Sequence, residues 1–445
     1  MKNSDIVIGL DIGTTKVRAI AARKDHNGTI EILGVGIAPS TGLSRGVIVN
    51  IDNTVQAIKA AVGQLQDAIA LDITEVYAGI AGKHITTTRQ ESSIVRENES
   101  EEITKEDIQR LNAIAHKVNL PHGYEIIQVV PQEYTIDGEV GIKEPIGMAG
   151  LRISAEYLLI LADIASTKNI FRSIERAGLK LKWLFLEPIA AAEAVLDALE
   201  KRGGVALIDI GGGTSDVIIV QDGIVRETLI IPFGGKIITE DIRKGCKIVV
   251  EWAEELKVNY GSAIPEEKHH NQIITIPGIR HRTPRELSRY QLSEIIYWRI
   301  VEIMKYIMAY IDGSKYHSEI TLGIVLSGGG AKLKNIDKVF ELGTGFEVRT
   351  GTASEYLNEK YKKQFDDPEY ATGIGLCILG IQHEAKNPKE DERKKEEKQE
   401  VHTISEVADF QDATHELSDN GMGNNILSFF KRIFGKSEGD MDEFE

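Results

Sequence analysis

The sequence predicts an α/β protein of two similar lobes, and three observations carry that reading. A unit of strand, Gly-rich turn, two further strands and a helix appears twice, about 200 residues apart. Each turn places Asp-Ile-Gly, followed by Thr, at the end of an apolar strand. Strand and helix patterns alternate to about His383 and then give way to a run of charge. With 445 residues, 42 % hydrophobic and 27 % charged, the chain is too long for one ordinary core and fits two or three compact units.

In the first unit Ile6–Leu10 is a short apolar strand, with Val17–Ala22 and Glu31–Ile37 as hairpin partners. Val55, Ile58, Ala61, Val62, Leu65 and Ile69 then recur at helical spacing. In the second, Val205–Ile210, Ser215–Val220 and Ile224–Leu229 read as strands and Thr239–Leu256 as one helix. From Lys386 to Glu400 nearly every residue is Lys, Glu, Asp, Arg or Gln, and the chain stays polar through Gly423. Such a stretch buries too little apolar surface to offset its ordering entropy, so it reads as a disordered linker.

Composition excludes several functions. A net charge of −16 argues against wholesale nucleic-acid binding. Two cysteines, Cys246 and Cys377, allow neither a disulfide scaffold nor a CxxC metal site, which points to a reducing compartment. The histidines, among them His269, His270, His281 and His317, show no transition-metal spacing. The longest apolar run, Ile153–Ala165, is broken by Glu156 and Asp163 and is short for a bilayer span. Asp5 and Asp11 flank too few apolar residues for a signal peptide. Any membrane contact must therefore lie on the surface.

The two turns carry the chemistry. Gly13-Thr14-Thr15-Lys16 and Gly211-Gly212-Gly213-Thr214 bring backbone N–H groups and hydroxyls close to phosphate oxygens. Asp11 and Asp209, at the strand ends, suit a hydrated Mg²⁺ between phosphates. Two facing loops of this kind would clamp a polyphosphate from both sides. A third glycine segment, Gly328-Gly329-Gly330, also follows an apolar strand, and a helix carrying Glu254 and Lys257 runs into Tyr260-Gly261. Read alone, Glu254 and Lys257 are an exposed helical pair. Leu186–Ala194 and Tyr370–Leu376 are helices rich in small residues, suited to close packing between lobes.

These five segments, in this order across Ile6–Leu379, resemble the motifs of the actin-like ATPase superfamily. The resemblance implies ATP with Mg²⁺, with Gly328, Gly329 and Gly330 against the adenosine and Glu254, Lys257 and Gly261 beside ribose and adenine. It also puts Glu187 where related ATPases carry a water-polarising carboxylate, beside Asp11 and Asp209; Glu187 also reads as a helix cap before Pro188. Whether ATP is hydrolysed quickly, slowly or hardly at all is left open. Within the superfamily, Gln128–Gly138, Pro145–Met148, Gly150-Leu151-Arg152 and Gly79–Ile85 resemble the FtsA family of bacterial cell-division proteins.

That resemblance implies an actin-like, duplicated ribonuclease H-like fold in which one actin subdomain is replaced by an insertion, 1C, on the opposite side. Subdomain 1A would take residues 1–83, 166–200 and 366–384, and 1C residues 84–165. Subdomain 2A would take 201–235 and 316–365, and 2B 236–315. The linker would be 385–423, a membrane-targeting helix 424–436 and an acidic end 437–445. The implied partners are the C-terminal peptide of FtsZ, further copies of the chain in filaments, anionic lipids and other division proteins, at the cytoplasmic face of the membrane. A basic stretch, Arg280–Arg285, with Arg289 and Arg299 beyond, suits an acidic peptide, and Arg285 and Arg299 are the candidate contacts. Two other readings share features of the sequence. A sugar or glycerol kinase shares Asp-Ile-Gly-Thr-Thr, and a PilM-type pilus adaptor shares the inserted domain.

The tail has its own pattern. Ile426, Phe429, Phe430 and Ile433 follow i, i+3, i+4, i+7, with Leu427 and Phe434 flanking and Lys431 and Arg432 on the other side. At about three turns the segment is too short to span a bilayer but suits the interface of an anionic membrane.

Overall fold

The structure is a computed structural model that describes residues 6–98, 101–276 and 283–386. The predicted linker beyond Lys386, the amphipathic segment 424–436 and the acidic end lie outside the described residues.

The first lobe opens with β1 (Val7–Ile12), β2 (Lys16–Lys24) and β3 (Ile30–Pro39), an antiparallel meander. A short hairpin, β4 (Leu43–Ser44) and β5 (Val47–Ile48), leads to α1 (Ile51–Ile69). Asn50 starts that helix by accepting a hydrogen bond from the Asn53 N–H, and Thr54, Val55, Ala57, Ile58, Ala61, Val62 and Leu65 form its buried face. β6 (Glu75–Ile80) then pairs parallel to β1.

An insertion follows: β7 (Ile85–Val95), α2 (Lys105–Ala115), β8 (Tyr124–Ile136), β9 (Glu139–Ile142) and β10 (Arg152–Asp163). Its antiparallel sheet, ordered β7-β10-β8-β9, has a core of its own around Ile103, Leu111, Ile153 and Tyr157. β10 is central in this sheet and covered on both faces, which explains the long apolar run there. The chain returns through α3 (Ile164–Arg176) to β11 (Lys180–Leu186), parallel to β6, and completes a sheet ordered β11-β6-β1-β2-β3.

After α4 (Glu187–Val195) and α5 (Ala198–Gly203), the second lobe repeats the plan with β12 (Val205–Ile210), β13 (Ser215–Gln221) and β14 (Ile224–Ile231). Next come α6 (Gly235–Cys246), α7 (Val250–Tyr260), the hairpin β15 (Ile273–Ile276) and β16 (Arg285–Ser288), and α8 (Arg289–Gly313). β17 (Ile324–Ser327), α9 (Ile336–Thr344) and β18 (Val348–Thr350) complete a sheet ordered β14-β13-β12-β17-β18. Reversed, this is the order of the first lobe's sheet, with the same antiparallel and parallel pairs. α10 (Glu359–Phe365) and α11 (Ala371–Lys386) end the described chain.

The predicted single helix over Thr239–Leu256 is two helices. Lys247 has φ 51°, a left-handed conformation that closes α6, and β-branched Ile248 and Val249 follow it in a non-helical stretch before α7. At the junction of the lobes, α4 and α11 approach so closely that a Cβ on Gly375 would lie 1.8 Å from the Ala190 carbonyl oxygen. Small residues on both helices permit that approach.

Candidate functional site

The two Gly-rich turns face one another across a cavity of about 580 Å³. A Cβ on Gly213 would lie 2.4 Å from Thr14 Oγ1, and one on Gly212 would lie 2.5 Å from Thr15 Cγ2. The second turn is therefore cut back to backbone where the first presents side chains. The turns are also tied together: Lys236 Nζ, at the start of α6, donates to the Thr14 carbonyl at 2.8 Å. The N–H groups of Gly235 and Lys236 donate to the carbonyls of Gly211 and Gly212, which sets the N-terminus of α6 against the second turn.

Asp11, Gly13, Thr14, Thr15, Lys16, Glu187, Asp209, Gly211, Gly212, Gly213, Thr214, Glu254, Lys257, Gly261, Gly328, Gly329 and Gly330 all line this cavity. Gly328 has φ 79°, and a Cβ there would meet Asp209 Oδ1 at 2.1 Å, so that turn requires glycine. Gly329 faces open space. Glu254 and Lys257 are more than an exposed pair. Lys257 Nζ donates to Glu254 at 2.7 Å, to Thr239 Oγ1 at 2.8 Å and to the Gly235 carbonyl at 3.1 Å, joining α7 to α6. Glu187 opens α4 but makes no side-chain cap; Gly79 leaves space for its stem, since a Cβ there would lie 2.6 Å from Glu187 Cγ.

The cavity floor is acidic. Asp11, Glu187, Asp209 and Asp216 all line it. Burial raises each of the four carboxyls, Asp209 to about 6. The charges of Asp11, Asp216 and Asp209 push Glu187 further up, and that of Asp209 does the same to Asp216. Asp209 Oδ2 accepts from Thr372 Oγ1 at 3.0 Å, whereas Asp216 Oδ1 is buried and has no hydrogen-bond partner. Such a cluster suits a cation brought in with bound anions. Among the described residues no group of three His, Cys, Asp or Glu is arranged to hold a metal directly. A hydrated Mg²⁺, held through water and substrate oxygens, fits that donor set.

Sequence reasoning missed several lining residues. Arg18 Nη1 donates to Asp11 Oδ2 at 3.3 Å and Nη2 to Glu369 Oε2 at 2.9 Å. Lys16 also reaches Glu369, at 3.0 Å. The pattern Asp209…Asp216, seven residues apart across a hairpin, was the available signal for Asp216. No local signal marks Glu369, which meets Arg18 only through the fold.

The candidate peptide contacts are tied down within the chain. The Arg299 guanidinium holds both carboxylate oxygens of Asp241, at 2.5 and 3.1 Å, and also Glu302, so its charge is already balanced. Reading it as a free cation in a basic patch overlooked Asp241, on α6. Arg285 is exposed, and its Nη1 donates to the carbonyls of Cys246 and Lys247 at the end of α6. Arg280, His281 and Arg282 lie outside the described residues.

Comparisons with known proteins agree with this architecture. The family described as "Cell division protein FtsA" matches residues 206–375, and "SHS2 domain inserted in FTSA" matches residues 82–161. The FtsA of Pseudomonas aeruginosa is 34 % identical over 386 residues, covering 86 % of this chain and 91 % of that one. The FtsA of Neisseria meningitidis serogroup B is 37 % identical, covering 85 % and 91 %, and that of Bacillus subtilis 31 %, covering 92 % and 90 %. Among solved structures, a PilM–PilN type IV pilus biogenesis complex aligns with TM-score 0.61 at 16 % identity, covering 84 % of this chain and 98 % of that one. MreB5 of Spiroplasma citri, solved bound to ADP, aligns with TM-score 0.52 at 17 % identity, covering 88 % and 99 %. At these identities the two structures speak to the fold, which is actin-like.

Proposed function

Since the chain belongs to the FtsA family of cell-division proteins, we propose that it binds ATP with Mg²⁺ between its lobes, polymerises on the cytoplasmic face of the membrane and tethers FtsZ filaments there. The observation that carries the nucleotide part is the pair of facing Gly turns above a buried acidic floor. Backbone N–H groups of the turns would take the β- and γ-phosphates, and Gly328–Gly330 with Glu254, Lys257 and Gly261 would take the nucleoside. Asp11, Asp209 and Glu187 would hold Mg²⁺ through water, and the ion would neutralise phosphate charge. Glu187, whose carboxyl is raised by burial and by the charges of Asp11, Asp216 and Asp209, is the candidate for orienting the attacking water.

Filament formation follows from head-to-tail association of one copy with the next, a heterologous contact that does not close. The acidic C-terminal peptide of FtsZ would dock on residues 236–315, with Arg285 as the reachable cation; Arg299 joins only by releasing Asp241. Residues 424–436 would anchor the chain through Ile426, Leu427, Phe429, Phe430, Ile433 and Phe434, with Lys431 and Arg432 toward anionic headgroups. Each anchor is weak by itself and gains strength when filaments multiply it.

Titration calorimetry with Mg·ATP tests the first step: binding is expected for the wild type and weakened in Asp209→Ala. Undiminished affinity in that variant would remove the two-loop clamp. Sedimentation with anionic liposomes tests the anchor, with Phe430→Glu expected to stay in the supernatant. Fluorescence anisotropy with an FtsZ tail peptide tests the partner, with Arg285→Glu expected to bind it less well. On a lipid monolayer the ATP-loaded protein is expected to form filaments by electron microscopy, and discrete monomers at high surface density would remove the polymer.

A further inference from the structure

Asp11 and Asp209 occupy matching places in the two repeats, each the fifth residue of its strand. Strand register then decides what stands opposite. Arg18 is the cross-strand partner of Asp11, and Asp216 is the cross-strand partner of Asp209. In the second lobe two buried carboxylates are therefore set against each other. In the first a guanidinium faces the carboxylate. Arg18 is 9 % exposed, lines the cavity, and is held by Asp11 at 3.3 Å, by Glu369 at 2.9 Å and over the Tyr370 ring at 6.0 Å. A buried arginine fixed on several sides cannot leave without exposing unpaired charge. Among the described residues, Asp11 is the only one of the four floor carboxylates, Asp11, Glu187, Asp209 and Asp216, in an ion pair; Glu254 and Glu369, at the rim, are paired with Lys257 and with Lys16, Arg18 and Lys332.

We propose that Arg18 is a built-in counter-cation at the phosphate end of the site, so that the divalent ion is held chiefly from the second lobe, by Asp209 and Asp216, and nucleotide binding depends only partly on it. The proposal rests on the reading that the cavity takes a nucleotide polyphosphate. Two effects of the fixed charge act in the same direction. With or without metal, it offsets the repulsion between Asp11 and incoming phosphate. It also repels a divalent ion from Asp11, its direct ion-pair partner, more than from Asp209, where its charge is a lesser influence, so the Asp209–Asp216 pair is the stronger cation site. Arg18 is thus a positioning residue, acting through Asp11 and through charge.

The test is ATP binding by the full chain, measured by calorimetry with saturating Mg²⁺ and again with Mg²⁺ chelated. The wild type is expected to lose no more than about tenfold in affinity on chelation. Arg18→Met is expected to lose at least about tenfold more than that on chelation, relative to its own affinity in Mg²⁺, and Arg18→Lys to recover part of the difference. An unchanged ratio in Arg18→Met would overturn the proposal, because a merely structural arginine would not alter metal dependence selectively. If the Met variant does not fold by circular dichroism, the wild type decides: a loss of more than about tenfold on chelation overturns the proposal. A wild type that binds no ATP under either condition refutes the nucleotide reading itself. ATP binding with strong metal dependence refutes only the role of Arg18.

Discussion

In the first lobe Arg18 stands across the strand pair from Asp11; in the second, Asp216 stands across from Asp209. The strands, their order and their Gly turns are otherwise repeated, so the difference is one of charge placed on a common frame. The turns differ in a complementary way. Thr14, Thr15 and Lys16 bring side chains to the cavity, and Gly212 and Gly213 leave the room those threonines occupy. The duplicated fold supplies two equivalent loops, and the substitutions make one a neutralised arm and the other an acidic, backbone-lined arm. That asymmetry is what a polyphosphate with a single cation requires, because the ion must sit to one side.

The largest effect is expected from filling the space that separates the turns. Gly212→Val drives side-chain atoms into Thr15 and should abolish ATP binding, a loss beyond about a hundredfold by calorimetry. The second-lobe acid comes next. Asp209→Ala should reduce Mg²⁺-dependent affinity far more than Asp11→Ala does, and equal losses would erase the distinction between the arms. Gly375→Ala tests the junction both arms share: with a Cβ due at 1.8 Å from the Ala190 oxygen, it should lower stability by about 3 kcal/mol in denaturant melts.

A pH effect of moderate size should follow from Asp209. Its carboxyl is raised by burial from 3.8 to about 6, so between those values the folded, nucleotide-free protein holds a proton that the unfolded chain has released. Asp209 therefore adds stability as pH falls through that window and withdraws it as pH rises through about 6. Thermal melts should show this slope flattened in Asp209→Asn. Mg·ATP affinity should run the other way, weakening below about pH 6 as the cation site takes up protons. The smallest effect is expected at a distance: Arg299→Gln breaks the pair with Asp241 on α6 and should leave ATP affinity within about twofold, since the pair does not line the cavity.

The inserted domain shows how contacts escape a linear reading. Gln132 donates to the Val225 carbonyl at 2.8 Å, Arg226 meets Glu133 at 3.1 Å, and Lys143 meets Asp222 at 2.7 Å, so the insertion leans on β14 of the second lobe. Gln132 and Glu133 lie in Gln128–Gly138, a segment that carries the family resemblance, but nothing local to them or to Lys143 names these partners.

What the sequence determined by itself was the repeat, the Gly turns, the acidic strand ends and the family. Each rests on residues close together in the chain, where glycine at a turn, alternation in a strand and Asp at a strand end carry meaning without knowledge of distant neighbours. The Gly turns and acidic strand ends that line the cavity were legible for that reason, whereas Glu187, Glu254, Lys257 and Gly261 came only through the family resemblance. The tertiary structure decided the break at Lys247, the engagement of Arg299 by Asp241, the meeting of Arg18 with Glu369 and the facing of Asp209 by Asp216. These depend on strand register and on segments up to 351 positions apart. A charged side chain's role is set by what its burial forces it to pair with, and only the packed chain fixes that partner.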